Sequence, residues 1–568
     1  MCLAAIRPDD LQATPARTRW TSAEKHNVVS RARMASRFPA LSKALKSVAT
    51  TFDDESGRRQ QELLAELARS RLPLSRALSS YSNTLMFIAA HPRDACVLRA
   101  ALDCLEQLAD FLRCQSSRKK DKLQNSGLPY TATVSTYSHD LIPWMLRSKH
   151  YRISLDSFWR PEIKLSRALA FTLPSLECDQ SGSGYEGRRL LEDLVPRAEN
   201  RLAFLIAEFA RLDDRPALKD YLFDGLHLYL RLTPTDRSFS RAFNRLATPA
   251  PFFHGESIGQ VDLRQIVKRR LPPPRRLMRM GRDAVVTAAR HAMMLLERET
   301  DPTTHLDARS LRVFELDRGV AVAIYGMVAC RQLPLESYVG YTLFKNGFPA
   351  AYGGAWIFGR HALFGINIFE PFRGGESAYL FGQLLRVYRQ AFGVNYFEVE
   401  PYQYGQGNPE GIRSGAFWFY YRQGFRPVEP NLAKLALAER RRIIKNLDYR
   451  TPPSVLRKLA EGNIALQLGR RIPMSVADVR ARITSHIQSR YNGNRVIAEL
   501  SCRRLFARSA GSPGRLDRDG QRVYREVALW AQSASIRSAR SLALLRKMIR
   551  VKPVDLYGYQ RLLRQVLR

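Results

Sequence analysis

The sequence predicts an α+β fold, a mixed-sheet domain over residues of about 276–430 flanked by mainly α-helical N- and C-terminal regions. Three observations predict it. Apolar residues recur at helical spacing on either side of this stretch, and just after residue 310 the period drops from near 3.6 to 2. Within the stretch, Gly365 to Pro427 runs as strand, glycine loop, helix, strand, loop, helix, strand. Outside it we expect a helical region over 1–130, a mostly helical region over 131–275 and a basic helical region over 431–568. At about 150 residues per domain, 568 residues suit three or four such units.

From Arg58 to Cys114, Leu63, Leu64 and Leu67, then Leu98, Leu102, Leu105 and Leu108, stand at the spacing of one helix face, which predicts two or three packed helices. The polar run Gln115 to Gly127 reads as a linker or mobile loop, and Asp179 to Gly187 as another. Between them lies Ser138-His139-Asp140. Ser and Asp are helix-start residues whose side chains accept from free backbone N–H groups, so we expect this cluster to cap a helix rather than form a catalytic site. A further helical block is expected over Asn200 to Leu246. Leu271 to Arg276, containing three prolines, cannot continue a helix, because proline lacks the N–H and clashes with the preceding turn.

Arg282 to Glu299 then reads as an amphipathic helix, followed by strands at Leu311 to Leu316, Gly319 to Met327 and Tyr338 to Phe344, each rich in β-branched or aromatic residues. Asn346-Gly347 predicts a tight hairpin turn, since both residues tolerate positive φ, returning the chain through Ala350 to Phe358. Leu363 to Phe369 is a strand, Tyr379 to Phe392 a helix and Val394 to Glu400 another strand. On that helix Leu380, Phe381, Leu384, Leu385, Tyr388 and Phe392 form an apolar stripe, with Gln383, Arg386 and Arg389 on the other side, and Gly393 suits the stop. From Pro430 onward the pattern is basic helix and loop.

Charge is unevenly spread. Residues 1–309 carry 49 Lys+Arg against 35 Asp+Glu, residues 310–430 carry 11 against 9, and residues 431–568 carry 30 against 9. The C-terminal field suits nucleic acid, anionic lipid or an acidic protein, and equally a solvated surface. The seven cysteines show no CxxC pair and no histidine at ligand spacing, so neither a disulfide framework nor a metal site is expected; Cys96, Cys104 and Cys114 read as buried thiols in a helix. The longest apolar stretch, Ala321 to Cys330, is short of the roughly 18 residues a membrane span requires. No signal pattern opens the chain, so a cytoplasmic protein is expected.

Chemistry concentrates where the Leu363 to Phe369 strand meets the next helix. Arg373-Gly374-Gly375-Glu376-Ser377-Ala378 can bring unpaired backbone N–H groups close to a diphosphate, and the helix dipole favours the anion. With the closing Tyr420-Tyr421-Arg422-Gln423-Gly424-Phe425, this segment resembles the acyl-CoA-binding core of the GNAT superfamily. That family's pattern is a strand, an Arg/Gln-x-x-Gly-x-Gly/Ala loop, a helix, a strand, and a helix containing Tyr and ending in Gly-Phe. Arg373 matches the first loop position, Ala378 the last, and Tyr420 the tyrosine. Glu376 departs from the pattern by standing where a glycine is usual. A carboxylate about 5 Å from a phosphate charge, at an effective dielectric of about 20, would cost on the order of 3 kcal/mol. Glu376 therefore either turns away as a first-turn residue or opposes the cofactor.

The resemblance implies transfer of an acyl group from acyl-CoA, acetyl or longer, to an amine of an unidentified acceptor, with no metal. It implies a cofactor site at Phe369, Arg373, Gly374, Gly375, Ser377, Ala378 and Asn408, and Tyr420 as donor to the departing thiolate. Core packing within the aromatic run Phe417 to Tyr421 is the other reading of Tyr420. For the base, strand alternation places Tyr396, Glu398 and Glu400 on one face. Glu398, Glu400 and Glu370 are the candidates, each with a surface salt bridge as its alternative. Two other functions fit the composition: a non-catalytic GNAT-like protein binding nucleic acid through its basic C-terminal region, and transfer from aminoacyl-tRNA.

Overall fold

The computed structural model describes residues 37–181, 184–248, 250–256, 261–373 and 376–568. It is a mixed α/β chain organised around two sheets. The smaller is antiparallel in the order β1 (Thr133–Thr136), β3 (Leu228–Pro234), β2 (Tyr151–Phe158). The larger contains β4 (Arg312–Leu316), β5 (Val320–Gly326), β6 (Ser337–Lys345), β7 (Phe348–Phe358), β8 (His361–Ile368), β9 (Tyr396–Val399), β10 (Arg426–Pro427) and β11 (Ile464–Gln467). Its order is β10-β11-β9-β8-β7-β6-β5-β4, and every neighbouring pair is antiparallel except β8 and β9.

The hairpin is where the Asn-Gly pair puts it. Asn346 and Gly347 take φ of 42° and 84°, and Lys345 pairs with Phe348 across the two-residue turn. Asn346 does more than turn the chain. Its side chain donates to Ala90 O and Phe252 O and accepts from Phe252 N–H, tying the hairpin tip to the N-terminal helices.

The Ser377–Phe392 helix lays its apolar stripe on β6, β8 and β9, where Tyr341, Leu343, Phe364 and Phe397 receive it. Gly393, at φ 74°, ends it. The opposite side of this helix is not solvated, contrary to its polar sequence. Gln383 and Arg386 are buried because the Leu263–Lys268 helix covers them, and Arg386 donates to the Arg269 and Arg270 carbonyls and to Gln383.

The N-terminal helices Asp54–Arg69, Ala77–Ala90 and Ala95–Arg113 share one apolar core with the large sheet. The C-terminal helices from Val476 to Val566 form a core of their own, which docks on the sheet through Leu335 and Phe358. They are joined to it by Tyr559 to Leu335 O at 2.6 Å and Gln560 to Ile357 O at 3.0 Å.

Several expectations change. The region 131–275 holds a three-stranded sheet as well as helices, and 431–568 contributes β11, so the large sheet runs past residue 430. Gln115 to Gly127 is not a loose linker. It forms a helical turn at Ser117–Lys120 and a 3-10 turn at Asp121–Leu123, and Asn125 bonds both backbone groups of Val134. Asp140 caps no helix; it accepts from Lys219 and Arg331, and Ser138 bonds Glu299 instead. Of the three helical cysteines only Cys104 is buried, Cys96 and Cys114 being exposed.

Candidate functional site

The parallel strands β8 and β9 pair over three residues only, His361 with Tyr396, Ala362 with Phe397 and Leu363 with Glu398, and then part. Beyond Leu363, β8 continues to Ile368 with β7 on one side and, among the described residues, no strand on the other. Parallel ladders are the weaker kind, and this one is cut short by the 3-10 turn Pro401–Tyr404 that follows β9. Gln403 of that turn reaches into the gap, where its Oε1 accepts from the Ile366 N–H over a long 3.4 Å.

One face of the sheet here is filled by the Ser377–Phe392 helix. The other carries Tyr338, Tyr352 and Trp356 around a row of glycines in register, Gly340 against Gly354 against Gly365. These glycines allow a close approach. A Cβ on Gly354 would stand 2.5 Å from the Tyr338 ring, and one on Gly340 would stand 2.6 Å from Pro302. Tyr338 stands edge-on to Trp356, and Tyr352 stacks on Phe369 at 5.3 Å and accepts from Arg298 at 3.0 Å.

Gly374 and Gly375 lie outside the described residues. Glu376, next to them, occupies the N-cap position of the helix and is 5% exposed, its carboxylate turned into the protein. One oxygen accepts from the Arg318 guanidinium and the other from the Lys345 ammonium, and His254 Nε2 lies 3.5 Å away. Burial raises this carboxyl, but His254 and Lys345 outweigh it and hold it well below the usual range. Burial brings Lys345 down to about 8, with Glu376 opposing the shift. Glu376 is thus a buried counter-charge to two cations.

Arg373 turns to the end of β8, donating from Nε to Ile368 O at 3.0 Å and pairing with Glu410 across the mouth of the gap. With Glu370 it also lines a cavity of about 590 Å³ between the N-terminal helices and the 3-10 turn Glu370–Phe372. That cavity is basic, for Lys46, Arg76, Lys122 and Arg241 complete its charged lining. Burial lowers the Arg241 guanidinium and the Glu370 charge opposes this.

The remaining residues fall in separate settings. Ser377 and Ala378 are half-buried in the first helical turn. Tyr420 is 3% exposed among Phe381, Tyr404, Phe419 and Phe425, and its hydroxyl makes no hydrogen bond among the described residues. Burial pushes this phenol far up, and its charge would be felt by Tyr341, whose own hydroxyl donates to Gly365 O on β8. Glu398 accepts from His361 at 2.7 Å and from Asn463, which binds β9 to its flanks. The His361 bond lowers its pKa against burial, with Asn463 adding to the effect, so it is a weak base with both oxygens engaged. Glu400, at the end of β9, is exposed and acts on Tyr338. Asn408 caps the Pro409–Ser414 helix through Gly411 N–H and donates to Tyr402 O, beside a groove that it shares with Trp418 and Arg457.

Sequence reasoning missed a second cavity, of about 320 Å³, whose charged lining is carboxylate: Asp220, Asp224, Glu297, Glu299 and Asp301. The two cavities share a wall. Asn125 of the basic one donates to Glu297 of the acidic one at 2.7 Å. No local signal marks either, because their linings are gathered from scattered segments between Lys46 and Arg373 for the basic one and between Ser135 and His305 for the acidic one.

Among the described residues two groups of three side chains stand close enough to share an ion, His91 with His254 and Glu376, and His139 with Asp140 and Asp213. Both are already threaded by cations, Lys345 and Arg318 on Glu376, and Lys219 between Asp140 and Asp213. Burial lowers the His91 and His254 rings, leaving them neutral. No helix among the described residues is long and apolar enough to cross a membrane. Set against known protein families, curated proteins and solved structures, the chain matches none.

Proposed function

We propose that the chain is a GNAT-type acyltransferase that moves an acyl group from acyl-CoA to an amine. The observation that carries this reading is the parting of β8 and β9 after three paired residues. It leaves a slot between the one parallel pair of strands in the sheet, at the carboxyl end of β8, the kind of crevice in which α/β sheets bind ligands. An extended thioester arm entering there takes the Ile366 N–H from Gln403, whose 3.4 Å bond is weak enough to yield.

The basic cavity beside Arg373 supplies cations for the phosphates, and the Ser377–Phe392 helix directs its dipole toward the same loop. The inward turn of Glu376 removes the repulsion that its position in the loop threatened. Tyr420 backs the slot as the proton donor to the thiolate, and Glu400 on the open face is the better placed base, since Glu398 is held by His361 and Asn463.

Calorimetric titration of the full chain with acetyl-CoA and longer acyl-CoAs tests this. We expect binding that weakens about tenfold in Arg241→Met, the loss of one cation near a phosphate. Tyr420→Phe should bind acyl-CoA normally and transfer about a hundredfold more slowly. No heat with any acyl-CoA, together with steeply salt-dependent RNA binding, would move the reading to a nucleic-acid-binding protein.

A further inference from the structure

The acidic cavity is anomalous in a chain of net charge +37. At physiological ionic strength charges are screened over about 8 Å, so a ligand inside it responds to these five carboxylates and to Arg331 beside Asp220, and not to the more distant arginines. Three of them are engaged in the wall. Arg331 pairs with Asp220, Asn125 donates to Glu297, and Ser138 and Thr304 donate to Glu299. Asp224 and Asp301 have no ion-pair or side-chain hydrogen-bond partner among the described residues.

A second, independent group points to a ligand. Tyr137 lines the same cavity, is 5% exposed, and its buried hydroxyl has no partner among the described residues. An unpaired buried hydroxyl costs about 1–3 kcal/mol unless something meets it.

The spacing of the carboxylates selects the kind of cation. Among the described residues, no three of them bring their oxygens within 4.8 Å of one another. A divalent ion needs six or more oxygens at roughly 2.0–2.6 Å, and so requires convergence. Carboxylates strung along a cavity suit charges strung along a chain, and Phe223 and Leu228 in the lining offer apolar surface to the methylenes between them. The cavity lies beside the large sheet. The short Asp301–Thr304 helix places Pro302 on Gly340 of β6, and the Asp301 charge, after burial, is the largest influence raising Tyr338 to about 12.

We infer that this cavity binds the acceptor, and that the acceptor is a small aliphatic polyamine. One or more ammonium groups are held by Asp224 and Asp301, and another amine reaches the open sheet face. The inference rests on the acyltransferase reading for its chemistry, and on the cavity alone for its binding.

Titration of the full chain with spermidine, propylamine and calcium chloride, without acyl-CoA, tests it. Spermidine is expected to bind, propylamine to bind at least about tenfold more weakly, and Asp224→Asn with Asp301→Asn to weaken spermidine about tenfold or more. Both positions are exposed and burial with neighbouring carboxylates raises Asp224, so the double variant should melt no lower than the wild type and keep its acyl-CoA affinity. Absence of spermidine binding, binding that the double variant leaves unchanged, or calcium displacing spermidine at equal concentration would each overturn the proposal. Spermidine binding without acyl-CoA binding would sink the transferase reading and leave the cavity assignment standing.

Discussion

At the scale of single residues, the most constrained charge is Glu376. It faces Lys345, which is fully buried, and Arg318, and no other carboxylate bonds either cation among the described residues. Removing one partner of such a group leaves a buried charge uncompensated, which costs far more than the pair itself contributes. Glu376→Gln should therefore destabilise the chain by about 3–5 kcal/mol, read from urea unfolding. A loss below about 1 kcal/mol would mean that the cluster is hydrated. The position was conspicuous in the sequence as a carboxylate beside two glycines at a helix start, but the direction of its side chain was not. That direction depends on Arg318, Lys345 and His254, each more than 30 residues away.

At the scale of elements, the decisive piece is the four-residue strand β11. It lies between β9 and β10, pairing Ile464 to Gln467 with Val399 to Tyr396, and Tyr404 anchors the approach to it by bonding Gly462 O. β11 thereby supports the strand that forms one wall of the slot. Leu466 is buried against the same core as the Ser377–Phe392 helix. Leu466→Ala should cost about 2–5 kcal/mol, checked by thermal unfolding, and should speed amide exchange in β9 before it does so in β6. Equal acceleration in both strands would show that β11 is not a local support.

At the scale of the whole molecule, the C-terminal helices act as a docked bundle. Lys552 is the charged buried contact beside Tyr559 and Gln560, donating to Glu336 O and to Ser337 Oγ at 2.7 Å and lying 4.5 Å from the Tyr559 ring centre. Burial lowers its pKa from 10.5 to about 7, with Glu336 opposing. Between those values the unfolded chain holds a proton that the folded chain has released. Stability should therefore rise with pH from about 7 to 10.5, and the penalty is full below 7. Lys552→Met removes this dependence, so its melting temperature should climb less than the wild type's between pH 7 and 9. Parallel curves for the two proteins would mean that Lys552 is hydrated.

The sequence by itself determined what near neighbours decide. The Asn346-Gly347 turn, the apolar stripe of the Ser377–Phe392 helix and the alternation of Tyr396, Glu398 and Glu400 against Phe397 and Val399 all follow from side-chain size and backbone preference over a few residues. Only the tertiary structure decided the rest. Gln383 and Arg386 are buried because a helix more than 110 residues upstream covers them, and β11 is a strand because β9 and β10 offer it two edges. The opposed cavities exist because Lys46, Lys122, Arg241 and Arg373 converge on one side of Asn125, and Asp220, Glu297 and Asp301 on the other. Local propensity carries no record of partners so distant in the chain, so the carboxylate cavity was invisible until the fold assembled it.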